Sequence, residues 1–147
     1  MATNNETPTK KQVKAKKDYI QVIGRRKSST ARVRLYTNDK GDIEVNGVRI
    51  EEYFPGEVNK SRYLEPMRTC NVIGKYLTTI KVEGSGKQSQ LDAVIHGISR
   101  ALVQLDDEKF HPILKKRGFL TRDPRVKERR KVGTGGKARR KKQSPRR

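Results

Sequence analysis

The uneven distribution of charge along this chain restricts its fold more than any other sequence feature. Residues 115–147 hold sixteen basic and two acidic side chains, a net charge of +14, and residues 1–17 have a net charge of +4. Residues 18–114 carry only +2 of the total of +20. Because charge repulsion and a shortage of apolar residues oppose folding, we expect neither end to form a core of its own. The sequence therefore predicts a disordered extension at 1–17, a globular body at 18–120 and an extended basic tail at 121–147.

The composition excludes several classes of protein. With 31% hydrophobic residues in a chain of 147, there is material for one modest core. No apolar run approaches the roughly 18 residues of a membrane helix, and the N-terminus lacks the apolar stretch of a secretory signal. Cys70 cannot form an intrachain disulfide alone, and with His96 and His111 it makes too small a set for structural zinc. We expect a soluble intracellular protein with no metal and no membrane partner.

Hydrophobic periodicity predicts an α+β body. Period-two alternation indicates four strands, at 19–23, 30–36, 43–45 and 75–83. Helical patterns indicate two to three helices, at 59–72, 88–105 and 106–116. Asn46-Gly47 favours a tight hairpin turn because both positions tolerate positive φ. In the strongest helix, Ala93, Gly97 and Ala101 form a stripe of small residues that allows a close approach to the four-stranded sheet.

No catalytic constellation is evident. The loop Gly84-Ser85-Gly86-Lys87 lies between a predicted strand and helix, where glycines free backbone amides for phosphate. A nucleotide-binding P-loop needs glycine at position 81 and a hydroxyl residue at position 88, and this chain has Lys81 and Gln88. Neither histidine has triad partners at a useful spacing, and the acidic residues are adjacent rather than facing. We expect no enzyme and no cofactor, and we interpret the loop as a tight connection that touches an RNA phosphate.

Two basic clusters point to nucleic acid. The first is Gly24-Arg25-Arg26-Lys27-Ser28-Ser29, at the join of the first two strands, with Arg32 and Arg34 continuing along one sheet face. The second lies in 121–131, where Asp-Pro marks a turn and the following arginines are spaced to follow a phosphate backbone. Arginine presents a planar fork that matches phosphate and stacks on bases, and the chain has nine arginines from Lys115 onward.

Four segments of the chain form a recognisable set: Gly24-Arg25-Arg26-Lys27-Ser28-Ser29-Thr30-Ala31-Arg32-Val33; Val45-Asn46-Gly47 with Tyr53-Phe54-Pro55; the loop and helix from Gly84 through Gln90, Ala93, Gly97 and Ile98 to Arg100-Ala101-Leu102; and Thr121-Arg122-Asp123-Pro124-Arg125 with Lys127-Glu128-Arg129. In this order they resemble bacterial members of the small-subunit ribosomal protein family S-nine, and the resemblance covers about 19–147. The third, glycine-rich segment is the most specific. The chain departs from the family's pattern at Gly84-Ser85-Gly86, where a triple glycine is common, and at Pro145.

The resemblance implies a left-handed βαβ unit, as in the second domain of ribosomal protein S-five, and a place in the head of the small subunit of cytoplasmic ribosomes. The implied partners are small-subunit ribosomal RNA (rRNA), other head proteins and the peptidyl-site tRNA, with no homo-oligomer. The tail would approach the tRNA anticodon stem-loop through Arg146 and Arg147. The candidate rRNA-binding residues are the basic side chains of the clusters, the loop and the tail: Arg25, Arg26, Lys27, Arg32, Lys87, Arg122, Arg125, Lys127, Arg129, Arg130, Lys131, Lys137, Arg139, Arg140, Lys141 and Lys142.

Without the resemblance, three alternatives stay open. A DNA-compacting protein of the nucleoid type is also small and basic, but it would bind duplex DNA as well as structured RNA. An RNA-processing enzyme would require a paired acid and base. A solvated tail that serves only solubility or targeting is the third. Composition and pattern alone indicate a nucleic-acid-binding protein whose tail folds on binding.

Overall fold

The computed structural model of the protein describes residues 19–133, which contain a mixed five-stranded sheet and four helices. The strands are β1 (Tyr19–Arg26), β2 (Ser29–Tyr36), β3 (Ile43–Val45), β4 (Val48–Arg49) and β5 (Leu77–Glu83). The helices are α1 (Ile50–Tyr53), α2 (Glu57–Thr69), α3 (Lys87–Leu105) and α4 (Asp107–Lys116). The sheet order is β1-β2-β5-β3-β4, and the β3–β5 pair is parallel while the other pairs are antiparallel. The chain passes from β3 through β4, α1 and α2 to the parallel strand β5, which forms a βαβ unit.

Alternation of side chains fixes the register of the first hairpin. Ala31, Val33 and Leu35 of β2 are fully buried, as predicted, because they face the helices. β1 pairs with β2 along its whole length, from Tyr19↔Tyr36 to Arg26↔Ser29. The predicted turn at Asn46-Gly47 is confirmed, since both residues have positive φ, 52° and 81°, and join β3 to β4.

Helix α3 packs closely on the first two strands. Its apolar residues Leu91, Val94, Ile98 and Leu102 are buried, as the periodicity predicts, and the small residues Ala93, Gly97 and Ala101 are buried too. At the crossing, a Cβ atom added to Gly24 of β1 would lie 2.0 Å from the Ala93 carbonyl oxygen. The predicted close approach is confirmed, because only a residue without a side chain fits between this strand and this helix.

The structure adds helix α1 to the predicted set, and the return strand after the Asn46-Gly47 turn, β4, gives the sheet five strands where four were predicted. Strand β4 has two residues and helix α1 has four, and both are too short to produce a periodic pattern. β1 continues to Arg26 where the pattern predicts an end at residue 23. α2 runs from Glu57 to Thr69 and accommodates Pro66 near its C-terminal end, while Tyr63 and Met67 are buried and Leu64 is half-buried.

The helices cover one face of the sheet, and the opposite face has no described helix against it. We call this second face the open sheet face. By strand register it consists of alternate residues of the five strands: Tyr19, Gln21, Ile23 and Arg25 of β1; Thr30, Arg32, Arg34 and Tyr36 of β2; Leu77, Thr79, Lys81 and Glu83 of β5; Glu44 of β3; and Arg49 of β4.

Candidate nucleic-acid interface

The tail leaves the body after α4, whose end is fixed by backbone hydrogen bonds. Gly118 has a φ of +76°. The N–H of Gly118 donates to the carbonyl oxygen of Lys115 at 3.0 Å, and the N–H of Phe119 donates to that of Leu114 at 3.1 Å. This pair of bonds is a Schellman motif, which glycine favours. Phe119 and Leu120 then pack against the core, so the chain is still attached to the body when the tail begins.

Arg26, at the end of β1, binds the first residues of the tail. Its Nη1 donates to the carbonyl oxygens of Asp123 at 3.3 Å and Arg125 at 2.6 Å, and its Nη2 lies 3.1 Å from the Asp123 carboxylate. The Arg26 side chain is only 14% exposed. We call these contacts the Arg26 clasp. Because the clasp binds two backbone carbonyl groups, it fixes the direction of the chain at 123–125.

Asp123 organises the tail side of the clasp. Its carboxylate accepts hydrogen bonds from the backbone N–H of Arg125 at 2.9 Å and from the Arg125 guanidinium at 2.7 to 3.0 Å. The bond from Asp123 Oδ1 to the N–H two residues later is an Asx-turn, the predicted Asp-Pro turn. Hydrogen bonds from Arg125 and the charge of Arg26 hold the pKa of Asp123 well below its ordinary value. The carboxylate therefore stays ionised and continues to pair with both arginines.

A further carboxylate connects the clasp to the helices. Asp92 of α3 lies 3.6 Å from Nε of Arg26, and its other oxygen lies 2.6 Å from Nη2 of Arg62 on α2. Arg62, Asp92, Arg26, Asp123 and Arg125 thus form a row of alternating charges from α2 to the tail. This row ties the tail to two helices and one strand, so the orientation of the tail depends on the packing of the body.

His96 covers the free edge of β1 beside the clasp. Its Nδ1 accepts a hydrogen bond from the backbone N–H of Arg25 at 3.3 Å, and its ring is also hydrogen-bonded to the Leu120 backbone. Nearby, Arg100 donates to the carbonyl oxygen of Ile23 at 2.5 Å. Burial lowers the pKa of His96, and the positive charge of Arg100 lowers it further. The neutral ring therefore has a structural role, because it is hydrogen-bonded to the backbone of β1 and of Leu120.

The glycine-rich loop is held by side chains from three parts of the chain. The Tyr53 hydroxyl donates to Oε1 of Gln90 at 3.0 Å, and Nε2 of Gln90 donates to the Gly84 carbonyl oxygen at 2.9 Å. The Asn46 side chain forms two hydrogen bonds with the backbone of Val82 in β5. Its Oδ1 accepts from the Val82 N–H at 2.9 Å, and its Nδ2 donates to the Val82 carbonyl oxygen at 3.1 Å. The Lys87 ammonium lies 3.4 Å from the centroid of the Tyr53 ring. The loop is therefore a tight connection, and its lysine already contacts an aromatic ring.

Eleven of the sixteen predicted rRNA-binding residues lie in the described part of the chain. Ten are exposed: Arg25, Lys27, Arg32, Lys87, Arg122, Arg125, Lys127, Arg129, Arg130 and Lys131. The eleventh, Arg26, is largely covered by the tail. The structure brings the β1–β2 turn and the start of the tail together, whereas Lys87 lies beside Tyr53. Lys137, Arg139, Arg140, Lys141 and Lys142, the predicted tRNA-contacting Arg146 and Arg147, and the predicted extension 1–17 lie outside the described residues.

Comparison with known proteins decides the family. A family described as "Ribosomal protein S9/S16" matches residues 24–147, which is most of the chain. The chain belongs to this ribosomal protein family. A relative named small ribosomal subunit protein uS9 from Anaeromyxobacter sp. (strain K) is 45% identical over 114 residues, covering 78% of this chain and 86% of the relative. The uS9 protein of Maridesulfovibrio salexigens is 44% identical over 120 residues, which cover 82% of this chain and 91% of the relative. That of Amoebophilus asiaticus is 44% identical over 116 residues, which cover 79% of this chain and 89% of the relative.

Membership of the ribosomal protein S9 family assigns the chain a structural role in translation. The four segments that carry the family resemblance contact one another in the structure. The segment 24–33 meets 121–125 at the Arg26 clasp and packs on α3 through Gly24, and the Tyr53 hydroxyl donates to Gln90 of the glycine-rich segment. These contacts position the basic side chains of an S9-family protein.

Some residues of this interface escape sequence reasoning. Asp92 and Arg62 give no signal, because their partners are distant in sequence. Lys81 and Arg49 lie on the open sheet face, and the alternation of 75–83 does place Lys81 opposite the buried Ile80. Within residues 19–133, no helix is long and apolar enough to cross a membrane, and no group of three potential ligands is arranged to hold a metal ion.

Proposed function

We propose that this chain is a structural protein of the small ribosomal subunit that binds rRNA in the head through its basic body and tail. We further propose that Arg146 and Arg147 contact the anticodon stem-loop of the peptidyl-site tRNA. The observation that carries the proposal is the Arg26 clasp, which starts the tail in a fixed direction while the basic side chains after it remain exposed. Other head proteins are its neighbours, and it acts on cytoplasmic ribosomes.

Electrostatics supplies most of the proposed affinity. Residues 126–147 contain eleven basic side chains and one acidic side chain. A protein that makes about 6–10 phosphate contacts loses roughly 10³–10⁵ in affinity between about 50 and 200 mM salt, because each contact releases counterions. A chain of 26 residues from Arg122 to Arg147 spans up to roughly 85 Å when extended, so a tail fixed at the clasp can reach a second site far from the body.

The first experiment compares the full chain with two variants that keep the clasp. One lacks 126–147, and the other keeps the length of the tail but has glutamine at its eleven basic positions. Binding to a transcript of the head region of small-subunit rRNA is measured across a salt series. We expect both variants to lose affinity by orders of magnitude near physiological salt and to show a shallower salt dependence. Unchanged affinity would contradict the proposal, and equal affinity for duplex DNA would favour the DNA-compacting alternative.

The second experiment isolates the proposed tRNA contact. Small subunits are assembled with a chain that lacks only Arg146 and Arg147, and with a chain in which both are lysine. We expect normal sedimentation with rRNA for both chains and weaker peptidyl-site binding of initiator tRNA for the deletion, with partial recovery by the lysines because they restore charge but not the planar fork. Equal tRNA affinity for wild-type and shortened chains would refute this part of the proposal.

A further inference from the structure

The open sheet face concentrates the positive charge of the body. It carries five basic and two acidic residues: Arg25, Arg32, Arg34, Arg49 and Lys81 against Glu44 and Glu83. This net charge of +3 exceeds the +2 of the whole segment 18–114, so the rest of that segment is net negative. Such a distribution favours an anionic partner on this face.

Arg34 is the side chain on this face best prepared to bind phosphate. It is exposed, and its guanidinium carbon lies 5.3 Å from the centroid of the Tyr19 ring. Within residues 19–133 it forms no ion pair. The stacking contact restricts the side chain without using its N–H donors, which reduces the conformational entropy lost when a ligand binds.

Arg32 and Lys81 are neighbours on adjacent strands and share one acidic partner. Arg32 Nη1 lies 3.0 Å from Oε1 of Glu83, and Lys81 Nζ lies 3.9 Å from the same oxygen. The Arg32 and Glu83 side chains are 48% and 55% exposed, and such surface pairs contribute little to stability. A phosphate can therefore replace Glu83 as the partner of both cations at small cost.

The shape of the face suits a nucleic-acid backbone. A depression of about 660 Å³ runs along β5, with Arg32, Arg34 and Lys81 among its lining residues. At one end, the face is bounded by the rings of Tyr19 and Tyr36, whose centroids lie 5.5 Å apart. At the other end, Arg25 adjoins the Arg26 clasp. Arg25 and Arg26 point to opposite sides of β1, so the open sheet face and the start of the tail meet only along this edge strand.

We propose that the open sheet face is a second rRNA-binding surface that takes the phosphate backbone of folded RNA, with Arg34 as its principal phosphate-binding residue. The proposal rests on the proposed function. We assign the face to RNA rather than to a protein because its five cations outnumber its two carboxylates, which complements the closely spaced phosphates of an RNA backbone. The chain's own ends do not complement it, since both are basic.

The test uses the full chain and the head-region rRNA transcript, with Arg34→Ala and the matched control Arg68→Ala. Arg68 is also exposed but lies on α2, away from the open sheet face. We expect Arg34→Ala to lower affinity about tenfold and to reduce the slope of log affinity against log salt by about 1, the effect of one lost phosphate contact. Arg68→Ala should change neither quantity, and far-ultraviolet circular dichroism should show that both variants fold.

A second variant tests the face through an expected gain in rRNA affinity instead of a loss. Glu83→Gln removes a negative charge and releases Arg32 and Lys81, so we expect rRNA affinity to rise several-fold. A role in folding alone gives no such gain. Both proposals fail if the wild-type chain does not bind the transcript. If it binds, but Arg34→Ala matches Arg68→Ala and Glu83→Gln gives no gain, the proposal for this face is overturned while the tail proposal stands. Loss of co-assembly with a head protein, at unchanged rRNA affinity, would assign the face to a protein instead.

Discussion

Replacing Gly24 by alanine tests the contact on which the whole interface depends. The added Cβ would lie 2.0 Å from the Ala93 carbonyl oxygen and 2.5 Å from the Gly97 nitrogen, both backbone atoms of α3. Favourable contacts begin at about 3.5 Å between carbon atoms, so the helix has to move away from β1 by about 1 Å or more. No side-chain rotation can relieve the clash. The displaced helix carries His96 and Asp92, and so it also carries the support of the Arg26 clasp.

Overpacking a core costs about 1–3 kcal/mol, and we place Gly24→Ala at about 3 kcal/mol because the obstacle is backbone. At about 4–8 °C per kcal/mol for a domain of this size, the unfolding temperature should fall by roughly 12–24 °C. Gly97→Ala should cost less, since its Cβ clashes only with the Val33 side chain, at 2.6 Å, and lies at ordinary contact distance, 3.4 Å, from the Gly24 nitrogen. Alanine also favours the helix. Gly86→Ala is the control, because nothing lies within 4 Å of its Cβ.

The assay is urea unfolding followed by circular dichroism, with calorimetry to test two-state behaviour. Gly86→Ala should stay within about 1 kcal/mol of the wild-type chain, since alanine restricts the unfolded chain but is a poorer N-cap than glycine. If Gly24→Ala unfolds within about 1 kcal/mol of Gly86→Ala, the close packing of α3 on β1 is refuted. An order in which Gly97→Ala is the more damaging would also contradict the reasoning.

Three further predictions concern single side chains. Arg26→Ala should speed hydrogen exchange of the backbone amides at 121–126 with little change in the free energy of global unfolding. Arg25→Ala, the control, should leave that exchange unchanged. If these amides exchange at the same rate in the two variants, the clasp is disproved. The pKa of His96 is lowered in the folded chain, so below pH 6.5 the unfolded chain binds more protons than the folded chain. The free energy of unfolding should therefore be highest above pH 6.5 and decrease as the pH falls below it, and His96→Gln should make this decrease smaller. Tyr53→Phe should lower the free energy of unfolding by about 1 kcal/mol, because it breaks the hydrogen bonds of the hydroxyl. Tyr63→Phe should be neutral or stabilising, because the buried Tyr63 hydroxyl has no hydrogen-bond partner among the described residues. If urea unfolding shows Tyr63→Phe to be the more destabilising, the hydrogen bonding inferred for both hydroxyls is refuted.

The parts of the fold that follow from local pattern could be predicted from the sequence. Strand β2 alternates cleanly because one side faces the helices, and α3 repeats its apolar residues with the helical period because one side faces the sheet. The Asn46-Gly47 turn follows from backbone sterics alone. The same turn predicts that a strand returns after it, but the length of β4 could not be predicted, since two residues carry no period.

The candidate site was predicted less completely, because Arg25 and Arg26 are equivalent in a basic cluster. Their roles separate only through the pleat of β1, where Val22, Gly24 and Arg26 point toward the helices and Ile23 and Arg25 point away. The strand predicted from the pattern ends at residue 23, so its alternation does not reach Arg25 and Arg26. The partner of Arg26 is also 97 residues away, at Asp123, and no local pattern reports a contact of that separation.

The pleat of β1 thereby divides the basic cluster between two tasks. Arg26 binds the tail on the helical side, and Arg25 joins the open sheet face on the other side. A shift of the β1–β2 register by one residue would exchange these positions, exposing the residue that holds the tail and turning Arg25 toward α3. The tight turn at Lys27, with a φ of 50°, fixes the register and pairs Arg26 with Ser29. The geometry of this one turn therefore sets both the direction of the tail and the position of the cations proposed to bind RNA.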